Sequence, residues 1–570
     1  MAKIHSISIK NFRGIKEFHQ NFWGKKFVCL IGRGDSGKST ILDAISNVLS
    51  PSWTIPFYDT DFYKCNTSEP IEIEATLTDL DEYFLNESKT GLHIRGINKE
   101  GIIVDDFEDS EGDPAITIRL LVYDDLEPRW YIVPHTDAED LPEIKAAARA
   151  RLNANLINDY SDRHFSWNKG NPLYNILKQQ ETEKQVNEKE NIVVNALREA
   201  KQKVDDNGFN ELKDAIGKVI EKAAEFGVDI NNATSTIDFK DIAVKDSKVV
   251  LHDEDKIPFR LKGKGLKRLI SIAIQLTQSD DKGIILIDEV EQGLEPDRVQ
   301  HLVSQLKKTN SQVFITTHSR DVAVELDATD IMIIREGRET LMQVPAEIQD
   351  CIRKNPEALM AKKIVICEGA TEVGVCKGVN EYRVIEGKRN AAYNGVRFAD
   401  GAGANLVKYA KGFKKLGYDV LVLCDSDDPG VNGHKQSLTD LGIPILDCEN
   451  DFAIENQIFK DSPWDAIKEL LSYRIEEKGI SSIQQDFQYK TLGDFPDDWE
   501  HKEADLRTKL SIASAYNKDK GNGKIEDKAW FKRIDHGIFI GSTICNYLPE
   551  MKETRLGKNI QYLMEWMDYD

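Results

Sequence analysis

The run FVCLIGRGDSGKSTILDAISNVL, residues 27–49, permits few folds. Phe27 to Ile31 is an unbroken apolar pentad that reads as a buried strand. Ser39 to Leu49 reads as a helix, with Ile41, Leu42, Ile45 and Val48 on one side. Between them Gly32, Arg33, Gly34, Asp35, Ser36, Gly37, Lys38 and Ser39 match G-x-x-x-x-G-K-[ST], with Thr40 next. The glycines let backbone N–H groups close around phosphates at a helix N-terminus, Lys38 supplies charge, and the Ser39 hydroxyl can ligate Mg²⁺. These nine residues form a candidate ATP-binding set.

A phosphate loop of this kind needs a second strand ending in carboxylates. GIILIDEVEQGLEPD supplies it: Ile284 to Ile287 as strand, Asp288 on the metal side, and Glu289 as candidate base for water attack. A third strand, Val313 to Thr317, ends at His318, placed to sense a γ-phosphate.

More than 230 residues separate Lys38 from Asp288. That split, with the opening ISIKNFRGI, resembles the ABC-type ATPases of the SMC, Rad50 and RecF group, whose lobes are parted by an insertion. The resemblance implies closure as a homodimer or higher oligomer, through a Ser-Gly signature. Here the matching place is LKGKGLKRL, where Gly263 and Gly265 remain but Lys262 stands in place of the serine. Within the insertion, residues 181–228 read as two amphipathic helices broken at Asp205 to Gly208. They form either a hairpin packed on its own domain or an arm for self-association.

The second half poses a charge problem. In VLVLCDSDDPG, residues 420–430, an apolar strand runs into Asp425, Asp427 and Asp428. Upstream, the strand Lys363 to Cys367 ends at Glu368, with Glu372 in the first turn of a helix. A glycine turn (Gly401, Gly403) into a basic helix lies between the two strands. Residues i and i+2 of an extended chain point the same way, so Asp425 and Asp427 share a face, while Asp428 belongs to the turn. Parallel strands would bring Glu368 and Glu372 to the same crevice. Four carboxylates gathered there need cations, and hard oxygen ligands select Mg²⁺ or Mn²⁺.

This order resembles the Toprim domain of topoisomerases, primases and certain nucleases, over about residues 360–450. The family's pattern implies further metal ligands at Asp451 and Glu455, which otherwise read as an acidic first helical turn. It also implies a lysine on a last helix, Lys528 or Lys532 in EDKAWFKRIDHGIFIG, facing the transition-state phosphate. Lys408, Lys411 and Lys415, and Lys518, Lys520 and Lys524, are candidate contacts to a DNA backbone or ordinary solvated charge.

At 570 residues the chain is too long for one core, and its net charge of −22 weighs against indiscriminate coating of nucleic acid. Its eight cysteines include no C-x-x-C and suit reduced, buried thiols. No apolar run is long enough to span a membrane and the start lacks a signal block, so the expectation is a cytoplasmic protein.

The expected class is α/β. A split ABC-type lobe occupies 1–165, a helical insertion 166–232 and a second lobe 233–350. A Toprim domain with a helical C-terminal extension fills 360–570. This layout resembles the OLD (overcoming lysogenization defect) nuclease family. The resemblance implies a metal-dependent DNA endonuclease regulated by ATP. It further implies a role in defence against phage, alone, beside a helicase, or beside a reverse transcriptase and its RNA–DNA product. Two other readings stand: an ATP-driven DNA clamp or sensor with a scaffolding Toprim domain, and a topoisomerase-like strand-passage enzyme.

Overall fold

The computed structural model describes residues 2–86, 89–90, 93–104, 112–134, 141–158, 165, 199, 257–279, 283–335, 337, 339–519, 525–527 and 529–568. The expected helical hairpin lies, apart from residue 199, outside the described residues, as do Lys528, Lys520 and Lys524.

Two sheets build the N-terminal half. One is antiparallel, with Lys3–Phe12 between Ile15–Asn21 and Ile71–Thr78, extended through Asp113–Val122. Alternating Ile4, Ile7 and Ile9 are buried in it, with a register shift between Ile4 and Ser6 that keeps the apolar side inward. The other is mainly parallel. Its centre is Phe27–Ile31, flanked by Gln312–Thr317 and Ile331–Ile333, with Ile284–Ile287 one place further out. All four of these strands are buried throughout, which is why they read as continuous apolar runs rather than alternating ones.

The C-terminal half contains a four-stranded parallel sheet in the order Val396–Asp400, Lys363–Cys367, Asp419–Cys424, Ile445–Asp447. Helix Ala370–Ile385 lies against helix Ile534–Asn546 at glycine-to-backbone distance. A Cβ at Gly374 would come within 2.2 Å of the Ile534 carbonyl oxygen, and one at Gly537 within 2.1 Å of that of Thr371. Gly378 and Gly541 repeat the arrangement one turn on.

The two halves share a core. Buried Ile285 and Ile315 of the first parallel sheet belong to the same apolar cluster as Ile364, Ile366, Val420 and Val422 of the second, joined through Ile348, Ile352 and Leu359. All eight cysteines are unpaired and seven are buried, as expected of reduced thiols. Among the described residues no helix is long and apolar enough to cross a membrane.

Candidate functional site

At the first site, Gly37 takes φ 95° and starts the helix Lys38–Val48. Lys38 is buried, which pushes its pKa down, and its ammonium donates to the carbonyls of Gly32 (2.9 Å) and Arg33 (2.7 Å). The Ser39 hydroxyl donates to Asp288 Oδ1 at 3.0 Å, and Thr316 Oγ1 donates to the same oxygen at 2.6 Å. The sequence pair Ser39 and Asp288 is thus brought together, as an ion accompanying a nucleotide would require. Glu289 adopts φ 49°, a strained conformation for a residue with a side chain. Its N–H donates to Thr316 Oγ1, and Arg268 holds its carbonyl together with that of Asp288. His318 is exposed and faces the same cleft of 640 Å³; partial desolvation of its ring within the cleft, then the Lys38 charge, lower its pKa. Gly265 packs on Gly293: a Cβ there would come within 2.1 Å of the Gly293 carbonyl oxygen. The glycine after Lys264 is therefore fixed by contact with the loop following Glu289.

Arg33 behaves differently from its loop neighbours. Its guanidinium reaches the C-terminal domain at Gly395, and its buried Nη1 has no hydrogen-bond partner. Arg335, at the end of the strand beside the phosphate-loop strand, donates to the carbonyls of Ala361 (3.2 Å) and Gly417 (2.9 Å) and lies over the Tyr418 ring. Arg335 lines both the nucleotide cleft and a second cavity of 410 Å³ between the loop and the C-terminal domain.

At the second site, oxygens of Glu368, Asp425 and Asp427 lie within 4.8 Å of one another. Glu368 Oε2 accepts the Asp425 N–H at 2.8 Å, locking one strand end to the next. The strand stops at Cys424, so Asp425 and Asp427 meet in the turn beyond it rather than in extended chain. Asp428 is apart, its Oδ1 accepting the Gly430 N–H at 2.7 Å as the cap of a short helix.

The remaining acids sort by depth. Glu372 is buried and accepts the Gly369 N–H at 2.8 Å; burial first, then the Glu368 charge, raise its pKa to about 7. Glu455 is fully buried, and its charge acts on Asp425. Burial, followed by Glu372, Glu455, Glu368 and Asp427, raises Asp425 well above the carboxylate range, and burial raises Glu368 too. Asp451 is exposed at φ 63° and donates its N–H to the Ser426 carbonyl. Its carboxylate is outside the three-acid group. Lys532 is exposed, and its charge offsets those of Glu368 and Glu372. Lys408 and Lys415 are exposed on the helix Leu406–Lys415, which follows a turn bonded to the carbonyls of Cys367 and Glu368.

The donor set fits a divalent cation. Three carboxylates crowd together, Asp425 buried and Glu368 half-buried, and a hard cation would offset what burial costs these two.

Three residues with structural claims on these sites carried no sequence signal: Arg268, Arg335 and Lys435, the last bonded to Ser426 between the two aspartates. The paired G-x-x-x-G spacings at Gly374/Gly378 and Gly537/Gly541 were available as a signal.

Two family models match separate stretches of the chain. Residues 27–325 match the family model described as "AAA domain, putative AbiEii toxin, Type IV TA system". Residues 359–427 match "Overcoming lysogenization defect protein-like, TOPRIM domain". A "Putative ABC transporter ATP-binding protein" of Geobacter sulfurreducens is 37% identical over 89 residues, 16% of this chain and 34% of that protein. "Retron Ec83 probable ATPase" of Escherichia coli is 37% identical over 62 residues, 10% of this chain and 11% of that protein. The chain therefore spans only a minor part of either relative. Among solved structures, the Smc head domain of Pyrococcus furiosus bound to a ScpA domain overlaps 60% of this chain and 96% of its own, at 15% identity and TM-score 0.33. The recombination mediator RecF overlaps 60% and 98%, at 13% identity and TM-score 0.32. Overlaps of that quality do not bear on activity.

Proposed function

Because the chain belongs to the AAA-domain ATPase family and carries an OLD-like TOPRIM domain, the pairing of the OLD family, we propose that it is an ATP-regulated, metal-dependent DNA endonuclease. The observation that carries this reading is the three-acid group of Glu368, Asp425 and Asp427.

Divalent cations bound there would activate water and stabilise the leaving oxygen of a phosphodiester. Glu368 would serve twice, as a ligand and, through the Asp425 N–H, as the brace that sets the second ligand. Glu372 and Glu455 act on Asp425 electrostatically, so that a bound cation would be held more strongly as they ionise. Lys532, on the exposed side, would meet the scissile phosphate, and Lys408 and Lys415 its flanking backbone. In the ATPase domain Lys38 would leave the loop carbonyls for a nucleotide's phosphates, with Ser39 and Asp288 holding its ion. Glu289 would accept the attacking water's proton beside His318.

The domain limits 1–165, 233–350 and 360–570 remain part of this proposal, as do a dimeric or larger assembly and a place in anti-phage defence. A helicase or a reverse transcriptase would be the partner there, and the retron relative supports the latter.

The test is cutting of supercoiled plasmid with Mg²⁺ or Mn²⁺ by wild type, Asp425→Ala and Lys38→Ala, each with and without ATP. Loss of cutting in Asp425→Ala, with altered ATP response in Lys38→Ala, is expected. Full cutting by Asp425→Ala would remove the assignment and favour a scaffolding TOPRIM domain.

A further inference from the structure

Ser426 separates the two aspartates of the acid group and is 1% exposed. Every polar atom it owns is engaged. Its N–H donates to the Phe452 carbonyl at 2.9 Å, and its carbonyl accepts from Asn432 Nδ2 at 2.8 Å and from the Asp451 N–H at 3.2 Å. Its hydroxyl donates to the Cys448 carbonyl at 2.7 Å and accepts from Lys435 Nζ at 2.8 Å. A serine this fully bonded has one available position, and the backbone on either side of it inherits that rigidity.

Lys435 in turn is fixed. Its ammonium also donates to Asp447 Oδ2 at 2.9 Å, and Asp447 is gripped from the far side by Arg555. Arg555 Nε and Asn559 Nδ2 further hold the Asp447 carbonyl, at 2.9 and 2.8 Å. The chain Arg555–Asp447–Lys435–Ser426 therefore ties the C-terminal helix Arg555–Trp566 to the turn that presents Asp425 and Asp427. An ordinary surface ion pair needs no such anchoring, and Lys435 and Asp447 are each only 20% exposed in their side chains.

We infer that Lys435 is a positioning residue for the metal-binding acids. Acting through Ser426, it holds the spacing of Asp425 and Asp427 so that both bind one cation cluster with Glu368. It touches none of the three acids' carboxylates as a ligand would. Its contribution is to keep two mutually repelling carboxylates together before a cation arrives. The inference rests on the metal-dependent reading of this site and specifies what sets its affinity.

The experiment measures Mn²⁺ binding directly, by the loss of the free-ion electron paramagnetic resonance signal, on the full chain. Wild type, Lys435→Met, Lys435→Arg, Ser426→Ala and the Ser426→Ala/Lys435→Met double variant are compared, with circular dichroism and ATP turnover confirming folding. Lys435→Met and Ser426→Ala should each weaken Mn²⁺ binding roughly tenfold, the scale on which outer-shell partners act. The double variant should be no weaker than the worse single one, since both substitutions break the same Lys435–Ser426 bond. Lys435→Arg should restore most of the affinity, and DNA cutting at saturating Mn²⁺ should be largely retained.

Wild-type affinity in both single variants, or losses that multiply in the double, would overturn the inference. Wild type that binds Mn²⁺ yet cuts no DNA would retire the nuclease reading while the affinities still support the positioning role of Lys435. Wild type that binds no Mn²⁺ would overturn both.

Discussion

Arg33, a residue of the phosphate loop, lies so close to Gly395 of the TOPRIM domain that a Cβ built on that glycine would sit 2.1 Å from Arg33 Nη1. Gly395 also has φ 80°, the left-handed backbone conformation that favours glycine there. The backbone carbonyl of Arg33 meanwhile accepts from Lys38, the bond a nucleotide's phosphates would break. One residue thus has its backbone in the nucleotide site and its side chain on the other domain.

Arg33→Ala should keep ATP binding, which uses the loop's N–H groups, while the effect of ATP on DNA cutting disappears. Coupling between sites is commonly worth around tenfold, so the cutting rate with and without ATP should converge from about that ratio toward one. The check is paired cutting assays plus a nucleotide-binding titration; an undiminished ATP effect would refute it.

The acid group predicts a dependence on pH. Burial and mutual repulsion raise Asp425, Glu368 and Glu372, the last to about 7, so the folded protein without metal holds protons that the unfolded chain has released. Their contribution to stability is therefore lost as pH rises from the ordinary carboxylate range through neutrality. Added Mg²⁺ should raise the melting temperature more at pH 8 than at pH 6, and Asp425→Asn should reduce that difference. A Mg²⁺ shift independent of pH would contradict this account.

Gly378 supports the site mechanically. Its Cβ position lies 2.2 Å from the Ile538 carbonyl oxygen, and backbone cannot yield as a side chain can. Gly378→Leu should wedge the two helices apart at a cost of about 3 kcal/mol or more. Because Lys532 lies two residues before the second helix, cutting should fail even where the domain stays folded. Urea unfolding and plasmid cutting measure the two effects separately.

Asp428 and Asp425 should respond very differently to alanine. Asp428 caps a single helical turn, so Asp428→Ala should cost about 1 kcal/mol of stability and leave cutting nearly intact. Asp425→Ala removes one of the three gathered carboxylates and should abolish cutting. Equal activity losses would place Asp428 in the site.

What the sequence disclosed follows from how each contact is made. Asp288, Glu368, Asp425 and Asp427 stand just past buried apolar strands, and Ser39 lies in the first turn of the helix after a glycine loop; apolar runs and that loop pattern are visible in a linear string. The depth of Glu372 and Glu455, and the backbone role of Asp451 at φ 63°, depend on packing that no spacing encodes. Lys435 reads as one more surface lysine until Asp447 and Ser426 are seen on either side of it. Arg33 fits the phosphate-loop pattern, and only the tertiary structure turns its side chain away from the nucleotide cleft toward Gly395.

The strand Lys363–Cys367 is five residues long, with Arg335 bonded to the carbonyls of the two residues just before it and Glu368 just after it. A TOPRIM domain grafted here from a relative would arrive with intact acids but without the backbone surface that Arg335 holds and Arg33 lies against. Such a chimera should hydrolyse both of its substrates as strangers, each half deaf to the other, unless the loops at 360–362, 395 and 417–419 travel with it.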